Sequence, residues 1–371
     1  MKIRYFTHSL LSCWNHGNAH FLRGLLRELG AMGHDVLALE PEGNWSLSNL
    51  LADHGEQGLL AFRTAYPELA THSYGPDADL DEMLDGADLV IVHEWNDPAL
   101  VSRIGAKRAG GGAFTLLFHD THHRAVSDPE AIRAFDLSGF DGVLAFGEAL
   151  SDVYRRWGWG SRVWTWHEAA DIRHFHPPEQ EGERHGLVWV GNWGDGERTA
   201  ELEDFLFRPA QEAQLALDIY GVRYPADALA MLKRYGAAYH GWAANAAAPM
   251  IFARHLATVH VPRRYYTQLL PGIPTIRVFE ALACGIPLLS APWSDSEGLF
   301  RPGRDFLFAR DGAEITRHLR AISADPDLRS SLVRSGLQTI RSRHSCAHRA
   351  RELMDIVESL NTPFQIVRSV A

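Results

Sequence analysis

The 371-residue chain is poor in lysine, in cysteine and in any excess of positive charge. Lysine occurs only at Lys2, Lys107 and Lys233, and arginine supplies the rest of the 36 basic residues. Against 46 acids these leave a formal net charge of −10, which argues against a nucleic-acid binder, whose affinity rests on basic charge facing phosphates. The three cysteines (Cys13, Cys284 and Cys346) are odd in number and far apart. That excludes a disulfide scaffold or a cysteine zinc site and fits a reducing, cytoplasmic compartment. No run approaches the roughly 18 uninterrupted apolar residues of a membrane span. The N-terminal MKIRYFTH meets Arg4 and His8 before any long apolar stretch, and so reads as a first strand, not a signal peptide.

What is present is enough apolar content, 46%, to build sizeable cores, in a chain longer than single cores usually allow. Short apolar runs alternate with amphipathic stretches, the pattern of parallel sheets covered by helices. In the first half the expected strands are KIRYFTH, HDVLALE, ADLVIVHE, FTLLFHD, GVLAFG and SRVWTWHE. Between the first two, Phe21, Leu25, Leu29 and Met32 share a helical stripe with Leu22 and Leu26 beside it, ended by Gly33. HFHPPEQEGERHG (174–186), with two prolines and a charged run, reads as a linker. The alternation then restarts with LVWVGN, LALDIYG, AAYHGW, ATVHVP, IPLLSAP and DFLFAR. The expected organisation is α/β: a Rossmann-like domain over 1–173, the linker, a second Rossmann-like domain over 187–345, and a helical tail over 346–371 in which Leu353, Ile356, Val357 and Leu360 make one apolar face. The charge is uneven as well. From Glu40 to Asp88 eleven acids meet one base, Arg63, so this segment carries the whole net charge and the remainder is neutral.

In doubly wound sheets, ligands bind beyond the carboxyl ends of the strands. The segment VHVPRRYYTQLLPGIPTIRVFEALACGIPLLSAP (259–292) has the parts for such a site. A strand is followed by Arg263 and Arg264, and a helix is expected to begin near Pro274. The first-turn N–H groups of Thr275 and Ile276 lack intrahelical partners and sit at the positive end of the helix dipole, which suits a diphosphate. Arg277 adds a possible bidentate contact, and Glu280 a carboxylate able to accept from two ribose hydroxyls. The bland alternative is a solvated Arg–Glu pair at an ordinary helix start.

PTIRVFEALACGIPLLSAP, with EGLFRPGRDFLFARDGAEI and HSCAHRARELM after it, resembles the C-terminal half of CgeB-like glycosyltransferases. These fall within the glycosyltransferase family 4-like group, which has the two-domain GT-B fold. VGNWGDGERTAELEDF, YGV at 220–222 and EAADIRHFHP at 168–177 agree with it, and the resemblance covers about residues 165–355. It implies that Glu280 holds the donor ribose and that the Thr275–Arg277 turn faces the diphosphate of a UDP-sugar or GDP-sugar. It also implies that Gly191 and Asn192 approach the phosphates, and that Gly241 and Trp242 border the base; Trp242 reads equally well as a core aromatic. Two positions depart from the family pattern. Gly272 stands where many members carry a second glutamate against the sugar, and no lysine follows Lys233, so Arg263, Arg264 or Arg277 would serve the diphosphate.

In the first half, three loops follow strands and are expected to rim the opposite side of a cleft. FTLLFHDTHHRA offers His119, Asp120, His122 and His123; HEWND offers Glu94; CWNHGNAH offers His16, Gly17 and Asn18. The His-rich loop has three readings: a metal site, a polar rim, or an acceptor-side catalytic group, in which His119 or Asp120 contacts sugar or activates a hydroxyl. Its spacing matches no metal motif, and no metal is expected. The resulting expectation is transfer of a sugar from a nucleotide-diphosphate sugar to an acceptor hydroxyl, with retention and without a metal or further cofactor. The acceptor, whether glycan, lipid-linked or small molecule, is open. A nucleotide-sugar epimerase of the same fold and a non-catalytic binding module of degenerate glycosyltransferase type remain as alternatives.

Overall fold

A computed structural model describes residues 1–179, 182–194 and 196–361. Seven parallel strands form the first sheet: β1 (Lys2–Phe6), β2 (Asp35–Pro41), β3 (Thr71–Tyr74), β4 (Leu89–His93), β5 (Thr115–Asp120), β6 (Gly142–Ala145) and β7 (Val163–Thr165). Their spatial order is β3-β2-β1-β4-β5-β6-β7. β1, β4, β5 and β6 are buried almost throughout, as expected for strands covered by helices on both faces. β3 is the strand that apolar patterning does not show. Its sequence, THSY, is half exposed on the sheet edge and is held by main-chain pairing to β2.

A second parallel sheet contains β8 (Leu187–Val190), β9 (Leu217–Tyr220), β10 (Ala238–Tyr239), β11 (Ala257–His260), β12 (Leu288–Ser290) and β13 (Leu307–Phe308), in the order β10-β9-β8-β11-β12-β13. All six correspond to the expected runs. In both sheets the strand order reverses at the middle, between β1 and β4 and between β8 and β11. The loops at those two switch points diverge and leave a crevice.

The first helix (Ala19–Ala31) buries Phe21, Leu22, Leu25, Leu26 and Leu29. Met32, expected on the same stripe, instead sits at the C-cap and is 44% exposed, because Gly33 turns the chain at φ +88° immediately after it. The terminal helix (Cys346–Asn361) crosses back from the second half to pack on this first helix. Leu353, Ile356 and Val357 join Phe21, Leu22 and Leu25 in one apolar cluster that also takes in Phe279 and Leu282 of the second half. Gly24 permits the crossing: a Cβ there would lie 2.6 Å from both Cys346 Sγ and Asp171 Cβ. The tail beyond Asn361 lies outside the described residues. Within 174–186, Phe175 is fully buried, its ring 3.9 Å from that of His20, so this connection is anchored at its start.

Candidate functional site

The carboxyl ends of the two sheets face each other across the crevice, and two adjoining cavities fill it. The narrower, of 280 Å³, lies mainly on the second sheet. Gly191 and Asn192 after β8, Trp242 after β10, Arg263 after β11 and the Thr275–Arg277 turn form its wall, with His16 and Gly17 closing it from the first domain. Asn192 Nδ2 donates to Asn15 Oδ1, and the backbone N–H of Asn245 reaches Cys13 Sγ at 3.3 Å, so both halves frame one space. Gly241 stands just outside the wall, where its carbonyl accepts from Gly221 N–H at 2.7 Å. Trp242 lines the cavity with its ring 4.6 Å from that of His54, and its buried indole N–H has no partner among the described residues.

The helix expected near Pro274 starts at Ile276, with Thr275 as an N-cap whose side chain makes no capping bond. Its leading N–H groups therefore remain unused at the cavity wall. Three guanidinium groups converge on the same space: Arg198, Arg263 and Arg277. Arg277 pairs with Glu280, and Arg263 donates through Nε to Glu197 at 2.7 Å, while Arg264 turns away to Glu201. Arg198 escaped sequence reasoning, although the signal was the same one used elsewhere, a cation shortly after a strand. It donates to the carbonyls of Val261 at 2.7 Å and Asn192 at 2.9 Å, and so ties the loops after β8 and β11 together. Burial lowers its pKa to about 10, which still leaves it charged at neutral pH.

Glu280 is fully buried behind this wall rather than part of it. It accepts from Asn245 Nδ2 at 2.7 Å, pairs with Arg277, and lies 3.2 Å from His20 Nδ1 of the first helix. His20 Nε2 accepts from Asp171 N–H at 2.9 Å, which assigns the ring proton to Nδ1, close to Glu280 though not in hydrogen-bond geometry with it. Burial alone would raise the Glu280 pKa, but Arg277, His20 and Asn245 outweigh it and hold the carboxyl below its ordinary value.

The wider cavity, of 790 Å³, lies on the first-domain side. It is lined by aromatic rings, among them Trp45, Trp95, His8 and His122, together with His16, Gly17 and Asn18. His123 also lines it, stacked on Tyr265 at 4.0 Å. Three of the first-half candidates do not reach it. His119 is fully buried, its Nδ1 2.5 Å from the Tyr5 hydroxyl and its ring 4.9 Å from that of Trp166; burial lowers its pKa to about 3. Asp120 is fully buried too and accepts from Tyr154 Oη at 2.7 Å and His122 N–H at 3.0 Å, with its pKa raised by burial. Glu94 is fully buried and ion-paired with Arg124, whose guanidinium lies over the Trp95 ring; burial raises its pKa. Among the described residues, no group of three or more His, Cys, Asp or Glu is arranged to hold a metal ion.

Glu168 enters the sequence reading as the end of the expected strand SRVWTWHE and the start of the inter-domain motif; it lies just after β7 and lines the wider cavity. It is 6% exposed and has no hydrogen-bond partner among the described residues. Burial, and then the nearby charge of Glu280, raise its pKa to about 8.

Residues 198–355 match a family described as glycosyl transferase-like. No curated protein matches the chain in sequence. Solved structures match over nearly its whole length. An α-glucosyltransferase in complex with UDP and a 13-mer DNA containing an HMU base superposes with a TM-score of 0.70 at 11% identity, covering 96% of this chain and 99% of that one. HepE of Anabaena in complex with UDP gives a TM-score of 0.65 at 12% identity, with 97% and 100% covered. The T4 phage β-glucosyltransferase in complex with UDP and Mn2+ gives 0.61 at 12% identity, with 96% and 100% covered. The chain has the two-domain GT-B fold, and its second half has the sequence pattern of a glycosyl transferase-like family.

Proposed function

We propose that the protein is a glycosyltransferase that moves a sugar from a nucleotide-diphosphate sugar, UDP-linked in the first instance, to an acceptor hydroxyl. The observation that carries this reading is the convergence of an uncapped helix N-terminus with Arg198, Arg263 and Arg277 on one cavity at the switch point of the second sheet. The solved GT-B structures that hold UDP support the choice of nucleotide. The base would sit toward Trp242, the diphosphate at the Thr275–Arg277 turn, and the sugar toward the aromatic cavity. Glu280 would reach the ribose once the phosphates draw Arg277 off its carboxylate.

In the reaction the acceptor oxygen bonds to the anomeric carbon. The bond from that carbon to the diphosphate breaks with its electron pair going to phosphate, and the acceptor proton leaves on the departing phosphate oxygen. Helix N–H groups and guanidinium groups stabilise the charge that develops, an arrangement that needs no reorganisation at the moment of transfer. This reading assigns that work to arginine rather than to a divalent cation. Retention of anomeric configuration and placement in the CgeB-like branch follow from the resemblance of 259–292. A cytoplasmic location agrees with three cysteines that remain free, Cys284 and Cys346 among them fully buried. The acceptor would be a glycan, a lipid-linked hydroxyl or a small molecule. The acidic Glu40–Asp88 segment, whose helix Trp45–His54 borders the wider cavity, disfavours a polyanion.

Calorimetric titration with UDP, GDP and ADP tests the donor site. UDP is expected to bind, and Arg198→Ala to weaken it at least tenfold, about 1.4 kcal/mol. Absence of binding by any of the three nucleotides would sink the proposal. Product analysis with a UDP-sugar separates transfer from isomerisation of the donor, the mark of an epimerase.

A further inference from the structure

We infer that Glu168 is a donor-sugar residue: its carboxyl group hydrogen-bonds hydroxyls of the sugar being transferred, and so selects which sugar the site accepts. This rests on the donor reading above. Every other buried Asp or Glu among the described residues accepts at least one hydrogen bond; Glu168 accepts none and opens onto the wider cavity instead. A mostly buried carboxyl group with no protein partner is satisfied by what enters the cavity, so its partner is to be sought there.

The chemistry of that partner follows from position. A carboxyl group does not face a diphosphate, which leaves the hydroxyl-bearing part of the donor. The two cavities share Thr275 and Ile276, where the diphosphate is placed, along with Tyr266 and Arg263. Whatever is attached to the outer phosphate therefore enters the space that Glu168 lines before anything else does. Gly272, in the loop preceding the helix at the diphosphate, brings no carboxyl group to the contact. It has φ +95°, a conformation strained for any residue with a Cβ, and a Cβ there would lie 2.2 Å from Ser296 Oγ. The carboxyl group comes from the opposite domain, which also makes sugar recognition depend on the two domains being held together.

The test compares UDP with UDP-glucose, UDP-galactose and UDP-N-acetylglucosamine on the wild type, Glu168→Ala and Glu168→Gln, by calorimetry. For the sugar nucleotide that the wild type binds best, the ratio of its affinity to that of UDP should fall at least fivefold in Glu168→Ala. UDP affinity itself should stay within twofold, which also reports correct folding. Glu168→Gln, of equal size, keeps a donor and an acceptor and should recover part of the ratio; it serves as the reporter if the alanine variant does not fold. A ratio unchanged in both variants overturns the inference, and does so equally if turnover is lost, since that would assign Glu168 to the acceptor. Failure of the wild type to bind UDP is a different result and overturns the donor site as a whole.

Discussion

Two glutamates approach the same crevice from opposite domains, and their surroundings differ completely. Glu280, on the second-domain helix, is sealed from the cavity, accepts from Arg277 and Asn245, and has the His20 ring 3.2 Å away. Glu168, after the last strand of the first sheet, is nearly as buried but faces open space with no donor. The first is held ionised and ties the two domains together through His20; the second has its pKa pushed up to about 8, close to where a proton is exchanged. Burial is therefore not the distinguishing property. A carboxylate whose hydrogen bonds are made within the protein belongs to the frame, and one without them is the candidate for ligand contact.

The sharpest way to break this contrast is Glu280→Ala. It strands the Arg277 guanidinium and His20 Nδ1, and should destabilise the fold by about 3 kcal/mol as well as weaken UDP binding. Denaturant unfolding at pH 7 measures the first effect, and a loss under 1 kcal/mol would show that Glu280 is not the structural member of the pair. Glu168→Gln should act in the opposite sense on stability. Burial and the facing Glu280 raise the folded-state pKa from 4.5 to about 8, with the Tyr266 hydroxyl also nearby. The unfolded chain thus releases this proton near pH 4.5 while the folded protein keeps it, and wild-type stability falls as pH rises from about 5 to 8. The glutamine variant lacks that loss and should be more stable than wild type by about 4 kcal/mol at pH 8, with the gap closing toward pH 4. Thermal unfolding across that range checks both sign and window. The smallest effect is expected at the rim: Trp45→Ala removes a 39% exposed ring and should change stability by about 0.5 kcal/mol, leave UDP affinity alone and raise the acceptor KM. A drop in UDP affinity there would mean that the two cavities are not separate subsites.

Much of the architecture was legible because it is written locally. Alternating runs mark twelve of the strands, and the exception, β3, is a polar edge strand with little apolar surface to show. The wall of the narrow cavity was legible for the same reason. An uncapped helix start and a nearby arginine occupy adjacent positions in sequence, and Thr275, Ile276, Arg277 and Arg263 all reach the narrow cavity. The first-domain side was much less so. His119 and Asp120 are the last residues of β5 and Glu94 follows β4, and all three point beneath the crevice floor, while their neighbours Trp95, His122 and His123 reach it.

The sequence by itself determined two parallel-sheet domains, the end of each sheet where ligands gather, and the acidic character of the outer first domain. Periodicity, turn residues and charge are properties of neighbouring positions and need no folding to be read. Only the tertiary structure decided which side chains face the crevice. His119 is covered by Trp166, whose indole N–H donates to the carbonyl of Arg349 at 3.1 Å in the terminal helix, more than 180 residues away in the chain. Glu168 is left open because no donor among the described residues of either domain reaches hydrogen-bond distance of it, the Tyr266 hydroxyl included. Whether a polar group is satisfied depends on contacts between distant segments, and those exist only once both domains and the returning helix are in place.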